Sequence, residues 1–236
     1  MTATFSLSSS LRFLPKWVDS LAATSVTDTV IASLSLALTD GTAAEQANGY
    51  WRDVVSVAAG ATVSVDLRAL PMKAFAGTGT LTISSVKALL IVNRSALGSL
   101  TVGGTISNRW AGFVAGGLSM PAGAVVYATN SASGWAVSSS SKNVAIQNGD
   151  AAVTLTGTTA TASGSATTIT GLSATSALAV GMTVAGTGIP ANATVTAIAS
   201  ATSVTISAAA TAAGSRTLTF CNPAATVELY FVGVSA

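Results

Sequence analysis

Histidine is absent from this 236-residue chain, and cysteine occurs once, at Cys221. Without imidazole there is no Ser-His-Asp or Cys-His catalysis, and no His-ligated metal. A single thiol forms no intrachain disulfide and no cysteine-built zinc site. Charge is scarce, at 8% of residues, against about 25% in an average soluble domain. Ten basic and eight acidic residues, net +2, do not make a nucleic-acid-binding surface. Long apolar runs are also missing. The longest, Ala88 to Val92, has five residues and ends at Asn93-Arg94, whereas a membrane-spanning helix needs about 20. The N-terminus has no basic start leading into an apolar core, so no secretory leader is expected and synthesis is placed in a host cytoplasm.

The few acidic groups do not assemble a site. A glycosidase needs two carboxylates, and Asp53 and Asp66 approach each other in one arrangement of their strands, near Trp51. The spacing does not require it, and both read more simply as solvated loop and edge charges. Asp40 and Glu45 fall short of a calcium loop. Gly77-Thr78-Gly79 and Gly186-Thr187-Gly188 lack the following Lys-Ser/Thr of a phosphate loop and are turns. No catalytic residue, metal ligand or cofactor site is assigned, and the chain is not expected to be an enzyme.

What the sequence does contain is Ala, Val, Thr, Ser and Gly, a mixture rich in β-branched residues that favour strands. Short alternating segments recur, separated by Gly, Asn and Asp: 29–38, 54–67 around Ala59-Gly60, 79–92, 100–102, 124–128, 135–137 and 144–146. Asn130 to Gly134 reads as a hairpin loop, and Asn148-Gly149 as a two-residue hairpin turn. No stretch shows a 3.6-residue period. The pattern predicts an all-β chain, a jelly-roll-like β-sandwich. Between Leu11 and Ser25 the periodicity fails. Phe13, Leu14 and Trp17 crowd around Pro15 there, either as a plug for one end of a β core or as an arm that docks on a neighbouring subunit.

Composition changes near residue 151. From Ala151 to Asn222 the one charged residue is Arg216, and all four tryptophans (Trp17, Trp51, Trp110, Trp135) precede this stretch. Residues 151–222 therefore read as a small antiparallel β module, Ig-like or a barrel, inserted into a domain formed by 1–150 plus 223–236. The closing strand, Thr226 to Val234, is expected to turn Val227, Leu229 and Phe231 inward and Glu228 and Tyr230 outward. Tyr50-Trp51-Arg52 and Asn108-Arg109-Trp110 are the interaction candidates, because Arg and Trp are enriched at binding hot spots. The same pairs also occur as cation–π contacts inside one domain.

The segments Gly171 to Pro190, Ala193 to Ile198 and Val204 to Ser207 resemble a small β module of tailed-phage structural proteins, found also in bacterial surface proteins. Leu89 to Ser95, Leu100 to Gly104, Leu118 to Gly123 and Val227 to Val234 are similar to small jelly-roll proteins of phage heads. The resemblance to capsid decoration, or cement, proteins implies a homotrimer clamped over junctions between major capsid protein subunits on the virion surface. It implies no catalytic residues, no nucleic acid and no membrane. The contact candidates are Phe13, Leu14, Trp17, Trp51, Arg52, Arg109 and Trp110. A tail-fibre or adhesin-type protein binding a host glycan through Trp51, Trp110 and Trp135 is the alternative.

Overall fold

The computed structural model describes residues 7–13, 16–21, 24–29, 32–72, 79–113, 115–150, 152–160 and 166–236, and up to residue 35 it describes backbone pairing alone. Every regular element among the described residues is a strand. The chain is all-β.

Five strands come first: β1 (Leu7–Phe13), β2 (Lys16–Leu21), β3 (Thr24–Thr29), β4 (Ala32–Asp40) and β5 (Gln46–Ala47). β1 runs antiparallel to β4, with Leu7 opposite Leu38, Leu11 opposite Leu34 and Phe13 opposite Ala32. β2 and β3 form a hairpin in which Trp17 faces Asp28 and Asp19 faces Val26. Over the described residues 11–13, 16–21 and 24–25 the expectation of an irregular segment is thus corrected. Alternation is weak there because apolar residues fall at positions of both hairpin faces, Trp17 and Leu21 on one and Val18 on the other, and backbone pairing sets the strands.

The next strands are β6 (Gly49–Val57), β7 (Thr62–Asp66), the small hairpin β8 (Leu70–Met72) and β9 (Gly79–Leu81), β10 (Ile83–Asn93), β11 (Ser99–Val102), β12 (Leu118–Pro121), β13 (Val125–Thr129), β14 (Trp135–Ala136) and β15 (Asn143–Asn148). Six further strands, β16 (Val153–Thr159), β17 (Thr168–Thr170), β18 (Thr183–Ala185), β19 (Val195–Ser200), β20 (Ser203–Ile206) and β21 (Gly214–Cys221), precede the last, β22 (Ala225–Ser235).

One sheet has the order β13-β10-β22-β6, with β14 also on β10, and a second has the order β12-β11-β15-β7. Alternation along their strands sends one set of side chains into a shared core. Trp51, Leu89, Ile91, Val227, Leu229 and Phe231 enter from the first sheet, and Leu100, Val102, Met120, Val144 and Ile146 from the second. The chain passes from sheet to sheet at β6→β7, β10→β11 and β12→β13. Gly60, at φ +72°, makes the first of these corners, a conformation glycine adopts without a Cβ penalty.

Two fully buried asparagines hold other corners. Asn93 donates to the carbonyls of Met120 and Pro121 and accepts from the Ser95 amide. Asn148 donates to the Val57 carbonyl and accepts from the Asp150 amide. Asn148-Gly149 is therefore no hairpin turn. The next strand, β16, pairs in a different sheet, and the asparagine ties β15 to the end of β6 instead. The expected hairpin around 130–134 is corrected in the same way. β13 and β14 both pair with β10, at Ala88↔Thr129 and Ser85↔Ala136, so they lie end to end along one strand. Buried Lys87 pins the excursion between them by donating to the Ser131 and Ala132 carbonyls.

Strands β16 to β21 pair only with one another, in the order β18-β21-β16-β17-β20-β19. The two ends of this sheet meet at a Thr183↔Thr194 bridge, flanked by Val195 N–H to Met182 O at 2.8 Å and Val184 N–H to Ala193 O at 2.9 Å. Inside lie Ile169, Leu172, Met182, Val184, Leu218 and Phe220. Gly157 is required here, because a Cβ would stand 2.8 Å from both Ile169 and Leu172. The expected inward row Val195, Ala197, Ala199 is not formed. Register shifts after Val195 and after Ile198 break the alternation, and Val195 alone of the three is buried.

Candidate interaction surface

The outward residues of the first sheet form rows fixed by strand register. Thr129, Ala88, Val232 and Tyr50 make one row. The next is Tyr127, Leu90, Tyr230 and Arg52, and the third is Val125, Val92, Glu228 and Val54. All three tyrosines of the chain stand on this one face.

The first row is partly covered. Leu36 and Leu38 of β4 and Ala47 of β5 pack on Ala88 and Val232 as a small buried cluster. Exposure is highest on the edge strands, where Tyr50 is 48% exposed, Val54 50% and Val125 60%, while central Val92 is buried. Tyr50 and Val54 flank Arg52 along β6, and Val125 stands on β13 at the opposite edge of the same face.

Charge on this face centres on Glu228. Its carboxylate accepts from Arg94 at 3.2 Å and from the Tyr230 hydroxyl at 3.1 Å, and lies 3.8 Å from Arg52. The Arg52 guanidinium sits 5.1 Å from the Tyr230 ring centroid, a cation–π contact that also occupies the ring face. The Arg94 hydrogen bond is the largest influence on the Glu228 carboxyl. With the Tyr230 hydrogen bond and the charges of Arg94 and Arg52, it holds the carboxyl below the ordinary carboxylate range, against the opposing effect of partial burial. Partial burial raises the Tyr50 hydroxyl, the nearby Tyr230 adds to this, and Arg52 opposes it. Arg52 and Arg94 remain more than half exposed, so both keep donors turned to solvent.

The sequence-based contact candidates divide. Arg52 belongs to this face. Trp51 does not: its ring stacks on Phe231 at 6.1 Å and its indole N–H donates to the Pro71 carbonyl. Trp110 is fully buried, edge-on to Phe113, Trp135 and Phe231, with its N–H on the Ala136 carbonyl. Both are core residues, a correction that follows from the period of two, which turns Trp51 inward when Tyr50 and Arg52 point out. Arg109 follows Asn108, at φ +53°, and its guanidinium donates to the Phe113 and Trp110 carbonyls, bracing the loop that delivers Trp110 to the core. Phe13 and Trp17 lie in β1 and β2, where the backbone alone is described, and Leu14 lies outside the described residues.

Asp53 and Asp66 do not form an acid–base pair. They lie on strands of different sheets. Asp53 accepts from the Val54 amide on an edge strand, and Asp66 accepts from Lys142 and from the Arg68 amide. Burial pushes the Asp66 carboxyl up, but Lys142 and Arg68 outweigh it and the net shift is downward. Among the described residues there is no group of three or more His, Cys, Asp or Glu able to hold a metal ion. Among the described residues no helix is long and apolar enough to cross a membrane.

Sequence reasoning names Tyr50 together with Trp51 and Arg52, and misses Tyr127 and Tyr230 as members of this face. The available signal was the alternation already used for β22, which set Tyr230 outward. Tyr50 beside Trp51 obeys the same rule. Comparison with known protein families, with curated proteins and with solved structures gives no match.

Proposed function

We propose that this chain is a structural protein of a phage virion, decorating the capsid at junctions between major capsid protein subunits and stabilising it by buried contact. The observation that carries the reading is the distribution of a very small charge. Half the chain is apolar by type and 8% is charged, yet two arginines and one glutamate meet on a single sheet face among three tyrosines. A β protein so poor in surface charge lacks the usual means of staying dispersed, and a face of Tyr and Arg is what contact surfaces use.

The strand order supports the jelly-roll reading. Setting aside the short hairpin β8–β9 and β14, eight strands form two four-stranded sheets whose order follows from two successive Greek keys. Strands β16 to β21, confined between Asn148 and Ala225, support the reading of residues 151–222 as an inserted module, and the bridge between its end strands favours the barrel form over the Ig-like one. The exposed site suits adhesion to a polypeptide surface better than glycan stacking, since Trp51 and Trp110 are internal and Arg52 already covers the Tyr230 ring.

Deleting residues 1–20 tests the role of the N-terminal segment with Phe13, Leu14 and Trp17. The expected result is loss of co-sedimentation with purified capsids while the remaining protein keeps its near-ultraviolet signature of packed tryptophans. Undiminished capsid binding by the folded truncation contradicts that role.

A further inference from the structure

We propose that the open part of the outer sheet face is the seat of the β2–β3 hairpin of a second copy of this chain, so that copies are linked by exchanged arms. One end of the same face already receives the N-terminal ribbon of its own chain, through Leu36 and Leu38 on Ala88 and Val232. Beyond that anchor the ribbon continues with Leu34 and, in register, Leu11 and Phe13, and then with the hairpin.

Hairpin and face are complementary. Strand alternation assigns residues 17, 19 and 21 of β2 to one hairpin face, and register adds 28, 26 and 24 of β3. That face carries Trp17, Leu21 and Val26 together with both aspartates, Asp19 and Asp28, whereas Lys16 falls on the other. The receiving face offers Tyr50, Val54 and Val125 with Arg52 and Arg94, both half-exposed and shared with one carboxylate, Glu228. Two aspartates beside three apolar residues meet two arginines beside three apolar residues. Such charge pairing fixes register and partner choice.

Reach and exposure place the hairpin on a neighbour. The face runs from Val232 to Glu228, about 13 Å along the strand at roughly 3.3 Å per residue. β1 alone extends about 20 Å from Leu7 to Phe13 by the same measure, and the hairpin adds a similar length. The arm is therefore long enough to reach past its own face, and in the single chain Tyr50, Val54 and Val125 stay open.

The test is sedimentation velocity on the full chain without capsids, over a range of concentrations. Three samples are compared: wild type, an arm variant (Asp19→Lys with Asp28→Lys) and a face variant (Arg52→Glu with Arg94→Glu). Wild type is expected to associate, and each variant to need about a hundredfold or more higher concentration to do so. Mixing the two variants pairs a basic arm with an acidic face and an acidic arm with a basic face, and is expected to restore association. Far-ultraviolet circular dichroism checks folding; should either variant misfold, a chain lacking residues 1–31 serves instead and is expected to be monomeric. A wild type that stays monomeric, variants that retain its mass, or a mixture that remains monomeric beside an associating wild type each overturn the proposal. Because no capsid is present, this outcome is separate from that of the capsid-binding experiment.

Discussion

The sandwich and the β16–β21 module solve the same folding problem with different materials. The sandwich core is built from large pieces: Trp51, Trp110, Phe113 and Phe231 meet in edge-on and stacked contacts around a shell of Leu, Ile and Val. The module core has Phe220 as its one aromatic residue, with Met182, Leu172, Ile169 and small aliphatics filling the rest. Their surfaces differ in the same direction. The sandwich displays tyrosines and paired charges, while the module displays threonine, serine and alanine with Arg216 as its one ion. The lesson is that the ions and tyrosines of the chain are concentrated on the sandwich, where Tyr50, Tyr127 and Tyr230 share one sheet face with Arg52, Arg94 and Glu228.

The largest effects should follow from emptying the two cores. Trp110→Ala is expected to cost the sandwich about 3–5 kcal/mol. Phe220→Ala should cost the module a similar amount, about 3–5 kcal/mol, without moving the sandwich transition. All four tryptophans lie outside the module, so fluorescence during denaturant unfolding follows the sandwich, while circular dichroism follows both. One shared shift for both substitutions would show that the two regions unfold as a unit.

A middle-sized effect is expected at the corners. Asn148→Leu leaves the Val57 carbonyl and the Asp150 amide without their side-chain partner and should cost about 1–3 kcal/mol, read as a fall in the fluorescence midpoint. Val54→Thr, on the open face, should change stability by about 0.5 kcal/mol or less yet weaken association in solution, which separates contact from folding.

Acid titration sharpens the electrostatic side of the comparison. The Glu228 carboxyl is depressed in the folded protein, so its contribution is present above the ordinary carboxylate range and is lost as pH falls through the lower folded value. Glu228→Gln should remove that part of the acid dependence of the sandwich transition. An unchanged acid limb in the variant would mean that the Arg94 and Tyr230 contacts are spent on solvent.

Much of this was legible in alternation. Val227, Leu229 and Phe231 point inward, and Glu228 and Tyr230 outward, as period two demands. What was not legible depends on distant partners. Asn148-Gly149 has the residues of a hairpin turn, but the buried asparagine bonds to Val57, some ninety residues earlier in the chain. Val195, Ala197 and Ala199 alternate in sequence, but bulges against β20 decide which of them is buried. Trp51 and Trp110 carry hot-spot residue types, and the packing of the two sheets gathers both into one core. The tyrosine face needed register across four strands to become visible as one surface.

The central claim is that this chain acts by contact, as a repeated component of a particle. Its most direct test is the number of copies per purified virion, counted on a stained gel against the major capsid protein. The account predicts hundreds of copies, in fixed proportion to the capsid subunits. Absence from the particle, or a handful of copies confined to the tail, would contradict it.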